Sequence, residues 1–207
     1  MRKFGLLMFC MFFGMIPAQA QQVKKILVLG DSLSAGYNLP ADQAFPVVLQ
    51  AALKKLGHDI SVINGGVSGD TSSGGLARLE WALGDGADAV IVELGANDML
   101  RGINPLETQK ALNEILSKLA QMKLPVLIAG MIAAPGMGKQ YEDQFNGLYP
   151  ALAARYGALI YPFFLDGVAN ERSLLLNDGM HPNKQGVDEM VRRIMPKVIE
   201  LVDRMGK

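Results

Sequence analysis

Cysteine is almost absent from this chain, since its 207 residues contain a single one, Cys10. A disulfide needs two cysteines, and a zinc site of the thiolate type needs several. Disulfide frameworks and cysteine-rich metal sites are therefore excluded. Stability must come from a packed apolar core, and a composition of 50% hydrophobic residues is typical of a folded globular protein.

Histidine and tryptophan are scarce as well, and the chain has no excess of either charge. The chain has two histidines, His58 and His181, and one tryptophan, Trp81. Its 20 basic residues balance 20 acidic ones, and no long run of like charge appears. A nucleic-acid partner would require a basic stripe, so we expect none. Any chemistry that needs an imidazole must use one of only two positions.

Residues 1–20 have the pattern of a secretory signal peptide. Arg2 and Lys3 precede an apolar stretch, and Pro-Ala-Gln-Ala ends in the small-x-small pattern of a cleavage site at Ala20. The apolar stretch is shorter than the ~20 residues of a membrane span. We expect cleavage after Ala20, a domain over residues 21–207, a periplasmic or secreted protein, and no stable membrane anchor. An uncleaved anchor is the alternative.

The remaining chain alternates short apolar runs with amphipathic segments. We predict strands at residues 25–29, 59–63, 88–94, 125–131 and 158–163. We predict helices at residues 44–56, 72–83, 105–122, 138–156 and 183–204. Strands that alternate with helices are typical of a parallel sheet, and runs that are apolar on both faces fit strands covered on both sides. The pattern predicts a single α/β domain.

Three side chains of this pattern are suited to nucleophilic acyl transfer. Ligands of an open α/β sheet bind beyond the carboxyl ends of the strands, and Ser32 follows the first strand at that edge. His181 follows the last strand, whereas His58 precedes the second strand and lies at the opposite edge. Asp178 is placed to bind the imidazole nitrogen that faces away from the serine. The alternative for Ser32 is a helix cap.

Gly69 and Asn97, in the loops after the second and third strands, are candidate donors to an oxyanion. Acyl transfer places negative charge on one oxygen, which preorganised N–H groups stabilise, and the Ser32 N–H is a third candidate. Taken alone, both residues also fit ordinary turns.

Other residues of these loops have alternative interpretations. We interpret Asp31, Asp70 and Asp98 as caps and loop braces, because three carboxylates on separate loops are a weak metal pattern. An apolar wall for an acyl chain is the role that we expect for Met99, Leu100 and Ile103.

Four blocks of the chain, taken in order, resemble the SGNH (GDSL) hydrolases, and in particular the bacterial thioesterase I, lysophospholipase and arylesterase group. The blocks are residues 30–37, 68–72 with 74–79, 92–98 and 178–183. They extend over nearly the whole chain after residue 20. One departure is Ala96, where relatives often carry a second glycine.

The resemblance implies a flavodoxin-like three-layer αβα sandwich with a five-stranded parallel sheet. It implies Ser32 as nucleophile, Asp178 and His181 as the rest of a triad, and Ser32, Gly69 and Asn97 as the oxyanion hole. The implied reaction is hydrolysis of small-molecule acyl esters, thioesters or lysophospholipids through an acyl-enzyme. We expect no cofactor, no metal and a monomer.

Two other functions stay open at this stage. The first is removal of O-acetyl groups from carbohydrate, for which stacked tryptophans would argue, whereas Trp81 is predicted to lie away from the site. The second is a non-catalytic ligand-binding module on the same fold.

Overall fold

The computed structural model describes residues 23–84 and 86–206, so the predicted leader, with Cys10 and its cleavage site, lies outside the described residues. The five strands are Lys24–Gly30 (β1), Ile60–Gly66 (β2), Ala89–Glu93 (β3), Val126–Ala129 (β4) and Leu159–Tyr161 (β5). The α-helices are Ser32–Ala35 (α1), Phe45–Lys55 (α2), Ser72–Ala77 (α3), Leu79–Leu83 (α4), Ala96–Leu100 (α5), Pro105–Gln121 (α6), Lys139–Tyr156 (α7) and Lys184–Arg204 (α8).

The strands form one parallel sheet in the order β2-β1-β3-β4-β5. Helices α2 and α8 pack together on one side of the sheet, and α3, α6 and α7 form the layer on the other. The predicted α/β fold of three layers with five parallel strands is therefore confirmed. Because β1 and β3 are covered on both faces, their apolar residues are almost fully buried.

The end of β1 positions the first part of the site. A Cβ atom on Gly30 would lie 2.3 Å from Ser34 Oγ and 2.6 Å from Glu93 Oε2, so only glycine fits there. The chain then turns into α1 at Asp31, and Val67 N–H donates to the Gly30 carbonyl at 3.0 Å. The loops after β1 and β2 are thereby joined at the carboxyl edge of the sheet.

The predicted helices are confirmed with small shifts, except for residues 72–83. That segment forms two helices separated at Arg78, whose guanidinium bonds to Asp70 and to the Gly30 carbonyl. The predicted strand 59–63 extends to Gly66, because β2 pairs with β1 as far as Gly30. Outside the predicted ranges, the structure adds the short helices α1 and α5 and two 3-10 turns, Ala41–Gln43 and Arg172–Leu174. The alternative role of Ser32 as a helix cap is wrong, because Asp31 caps α1 and Ser32 is its first residue.

Candidate active site

Ser32 is the first residue of α1, at the carboxyl end of β1. The preceding Asp31 is the cap of that helix, since its Oδ1 accepts the Leu33 N–H at 3.0 Å. Asp31 is fully buried and Ser32 is half-buried. This cap fixes the turn from strand to helix and leaves the Ser32 hydroxyl facing a cavity.

His181 reaches Ser32 from the other end of the chain. Its Nε2 lies 3.0 Å from Ser32 Oγ, and its Nδ1 lies 2.8 Å from Asp178 Oδ2. The loop is closed on itself, because Leu176 N–H donates to the His181 carbonyl at 2.7 Å. The structure therefore brings together the three side chains that the sequence analysis selected, in the order serine, imidazole, carboxylate.

Asp178 is exposed but firmly held. Its Oδ1 accepts the backbone N–H groups of His181 at 3.0 Å and of Met180 at 2.9 Å. These two hydrogen bonds, the one from His181 first, lower the pKa of Asp178 to about 2. Its second oxygen stays available to the imidazole as an ionised acceptor throughout the neutral range.

Two residues that the sequence analysis did not single out support the histidine loop. Tyr37 stacks on the His181 ring, with centroids 4.3 Å apart and planes tilted by 31°. Arg172 donates to the carbonyls of Leu176 and Asn177, just before Asp178. Tyr37 lies within the first sequence block, which is a signal that could have pointed to it, whereas Arg172 carries no such signal.

The two predicted oxyanion donors differ in their surroundings. Asn97, in α5, lines the cavity beside Ser32, and its Nδ2 donates to Asp31 Oδ2 at 2.9 Å. Gly69 has a φ of +88°, which favours glycine, and its carbonyl accepts from Arg101 Nη2 at 2.6 Å. Gly69 does not line the cavity, so its role as a donor stays a prediction.

The other two aspartates of these loops serve as braces. Asp70 pairs with Arg78 at 2.5 Å. Asp98 is buried and accepts from the Ser72 N–H and hydroxyl and from the Thr108 hydroxyl. Across residues 23–84 and 86–206, no group of three or more His, Cys, Asp or Glu side chains is arranged to hold a metal ion.

Glu93, a fully buried carboxyl at the end of β3, lies behind the serine turn. Its Oε2 accepts from the Ser34 hydroxyl at 2.7 Å and from the Asp31 N–H at 3.2 Å. Burial, and then the charge of Asp31, raise the pKa of Glu93 well above its usual range. Burial also raises the pKa of Asp31, to about 6. An acidic residue inside an apolar strand was the sequence signal for this position.

A cavity of about 170 Å³ opens beside the Ser32 hydroxyl. Its lining is mostly apolar and comes from several loops: Asp31, Ser32, Leu33, Ala96, Asn97, Met99, Leu100, Met131, Leu165, Met180 and His181. Of the predicted acyl-chain residues, Met99 and Leu100 line this cavity. Ile103 does not, because the chain turns away after α5 and the Ile103 carbonyl accepts from Tyr141.

Other features of the surface lie apart from this cavity. A larger groove of about 610 Å³ runs between α2 and α8, but its lining includes neither Ser32 nor His181. His58 precedes β2 and so lies at the opposite edge of the sheet. Trp81 is 77% exposed on α4 and does not line the cavity.

Comparison with known proteins agrees with this geometry. The pattern of the GDSL-like lipase/acylhydrolase family matches residues 28–188. An arylesterase of Vibrio mimicus is 40% identical over 87% of this chain and 90% of its own length. The Escherichia coli K12 protein named thioesterase 1/protease 1/lysophospholipase L1 is 35% identical over 91% of both chains.

Solved structures give the same result. The crystal structure of AlinE4, an SGNH-hydrolase family esterase, is 41% identical, with a TM-score of 0.74. The match covers 88% of this chain and 98% of that one. The four blocks, the sheet topology and these similarities lead to one assignment: the chain belongs to the GDSL-like lipase/acylhydrolase family.

Proposed function

We propose that the protein is a serine hydrolase that cleaves acyl esters and thioesters through an acyl-enzyme on Ser32. The observation that carries this proposal is the continuous chain of contacts from Ser32 Oγ to His181 at 3.0 Å and from His181 to Asp178 at 2.8 Å. Such an arrangement makes a serine hydroxyl nucleophilic, because the imidazole takes its proton as the bond to carbon forms.

In the proposed reaction, Ser32 Oγ attacks the ester carbonyl and its proton passes to His181 Nε2. Asn97 Nδ2 and the backbone N–H groups of Ser32 and Gly69 stabilise the oxyanion. His181 then returns the proton to the leaving alcohol or thiol as the bond to it breaks. Water, deprotonated by His181, cleaves the acyl-serine and regenerates the enzyme. Asp178 accepts from Nδ1 and holds the imidazole in the reactive tautomer.

The size of the cavity supports small acyl or aryl groups as its occupants. Its volume of about 170 Å³ is close to that of a buried cavity of about 150 Å³ that binds benzene. A longer acyl chain must therefore extend past the cavity, over the half-exposed Leu100 and Met180 at its rim. The apolar lining favours esters of fatty or aromatic groups over polar ones.

A fluorophosphonate probe with turnover assays tests the proposal. Ser32 should become covalently labelled, and Ser32→Ala should abolish labelling and hydrolysis of p-nitrophenyl acetate and butyrate. Ser73→Ala, which changes an exposed serine of α3, is the matched control and should retain both. Labelling at another residue, or turnover by Ser32→Ala, would contradict the assignment.

The same assays separate the alternatives. Acyl-CoA, lysophosphatidylcholine and acetylated xylan, tested beside the aryl esters, distinguish a thioesterase, a lysophospholipase and a carbohydrate O-acetylesterase. Faster hydrolysis of the acetylated sugar would favour the last of these. Binding of these ligands without any turnover would favour a non-catalytic module.

We also propose that the mature protein acts outside the cytoplasm. The support is the signal-peptide pattern of residues 1–20. Among residues 23–84 and 86–206, no helix has the length and apolar character needed to cross a bilayer. The mass of the protein recovered from a periplasmic extract should correspond to a chain that starts at Gln21. An intact Met1 in the membrane fraction would support the uncleaved anchor instead.

A further inference from the structure

The Asp31 side chain connects the serine turn to Asn97. One carboxylate oxygen accepts the Leu33 N–H at 3.0 Å, and the other accepts Asn97 Nδ2 at 2.9 Å. Asp31 is fully buried, and both Asp31 and Asn97 line the cavity beside Ser32. Asp31 thus contacts Asn97 in addition to capping α1.

The orientation of an asparagine amide decides what it offers to a reacting oxygen. Its NH₂ and C=O ends have nearly the same shape, and a half-turn exchanges a donor for an acceptor. A carboxylate can only accept, so Asp31 favours the orientation that presents the NH₂ end of Asn97. One amide hydrogen then meets Asp31, and the second is available to the oxyanion.

We propose that Asp31 is a positioning residue of the oxyanion hole, which keeps the NH₂ group of Asn97 directed at the oxygen that becomes negative during acyl transfer. The inference rests on the proposed function, because it assumes that Ser32 forms the acyl-enzyme. It assigns to Asp31 an effect on the chemical step that a helix cap alone would not have.

Asp31 is ionised at neutral pH, as this role requires, although burial raises its pKa to about 6, because the Leu33 N–H and the Asn97 amide stabilise the charged form. Glu93 faces it from β3, Asp70 from the loop after β2, and His181 from the loop before α8. Two adjacent buried carboxyls rarely ionise together. Asp31 accepts from the Asn97 amide, whereas burial holds Glu93 in its neutral form, so Asp31 carries the single charge at neutral pH.

Two substitutions separate positioning from capping. In Asp31→Asn, the side-chain oxygen can stay with the Leu33 N–H, but an NH₂ group then faces Asn97 and favours the flipped amide. In Asp31→Ser, the hydroxyl can still cap α1, since serine is a good N-cap, but it is too short to hold Asn97. Each is made in the wild type and in Asn97→Ala, and kcat, KM and thermal stability are measured with p-nitrophenyl butyrate.

We expect both substitutions to lower kcat by about 10²-fold, the loss typical of one oxyanion donor, with little change in KM. In the Asn97→Ala background, the further loss should be less than about threefold, because the residue through which Asp31 acts is already gone. Equal losses in both backgrounds, a change confined to KM, or a fully active Asp31→Ser would overturn the inference. Failure of both variants to fold would assign Asp31 to stability alone and overturn it as well.

The Ser32→Ala variant in the same assay keeps this test separate from that of the proposed function. If Ser32→Ala retains turnover, the proposed function fails. If Ser32→Ala is inactive but the Asp31 substitutions lower kcat equally in the wild type and in Asn97→Ala, only the proposed role of Asp31 fails.

Discussion

Asp31 and Asp178 are two aspartates of the same candidate site, and their surroundings shift their pKa values in opposite directions. Asp31 is fully buried behind the serine, and burial raises its pKa to about 6. Asp178 lies on an exposed loop, and hydrogen bonds from the backbone lower its pKa to about 2. The serine half of the site is built into the core, whereas the histidine half is built on the surface.

The difference has a physical consequence for how each half is held in place. The serine turn is fixed by the sheet, by the lack of space around Gly30 and by the buried Glu93. The histidine loop is held by local hydrogen bonds, including those from Arg172. Changes in the serine half should therefore affect both stability and rate, and changes in the histidine half should affect mainly rate.

His181→Ala should have the largest effect on activity and little effect on folding. Loss of the base in a serine triad lowers kcat by about 10⁶-fold, because the three groups act as a unit. Turnover and the melting temperature are measured on the same samples, with His58→Ala as the control at the opposite edge of the sheet. Comparable rate losses for the two histidines would contradict the assignment of His181 to the site and of His58 to the opposite edge of the sheet.

Asp178→Asn should lower kcat by about 10⁴-fold. Asp178 Oδ1 accepts two backbone N–H groups, so the oxygen of the new amide should take that position. The NH₂ group then faces His181 Nδ1 and forces the proton onto Nε2, where Ser32 needs an acceptor. Steady-state kinetics measure the loss, and a melting temperature close to that of the wild type is expected. A rate within tenfold of the wild type would contradict this account of the tautomer.

Sequence reasoning reached the fold and the candidate triad because both depend on where parallel strands end. Ser32 follows β1, and the His181 loop was placed at the same edge by topology alone. The lining of the cavity was only partly predicted, since Leu165 and Met180 come from segments that tertiary packing brings to Ser32. Tertiary packing also explains why the prediction for Ile103 is wrong. Ile103 follows Leu100 closely in sequence, but it does not line the cavity.

Residues of both the serine half and the histidine half of the site line the cavity. Leu100→Asp tests the lining on the serine side. Each buried methylene contributes about 0.8 kcal/mol, so the loss of contact with two methylenes costs about 10-fold in binding. The ratio of kcat/KM for p-nitrophenyl laurate to that for the acetate should therefore fall by about 10-fold or more.

Leu106→Asp is the matched control for this change, because Leu106 is 59% exposed against 56% for Leu100 but does not line the cavity. The laurate-to-acetate ratio of kcat/KM should stay that of the wild type in Leu106→Asp. It should also stay unchanged in Ile103→Asp, because Ile103 does not line the cavity. An unchanged ratio in folded Leu100→Asp would mean that long chains leave the cavity on the side of Met180.

Glu93→Gln should have the smallest effect on rate, and its main effect should be a pH-dependent change in stability. Burial and the charge of Asp31 raise the pKa of Glu93, so the folded protein keeps a proton that the unfolded chain releases above its ordinary pKa of 4.5. The free energy of unfolding of the wild type therefore falls as pH rises above that value, until Glu93 ionises in the folded state. Glutamine resembles the neutral acid and has no proton to lose. The melting temperature of Glu93→Gln minus that of the wild type should consequently increase from pH 5 to pH 9.

A difference of about 1 kcal/mol in the free energy of unfolding shifts the melting temperature of a chain of this size by about 2–4 °C. Thermal unfolding measured at several pH values resolves such a shift. Glu80→Gln is the control, because Glu80 is an exposed carboxyl whose pKa Lys118 lowers by hydrogen bonding. Its difference from the wild type should not change between pH 6 and pH 9. If the Glu93→Gln difference is also independent of pH, Glu93 is ionised in the folded protein. The buried half of the site would then hold two charges, and the contrast between its core and the exposed histidine loop would have to be explained by packing instead.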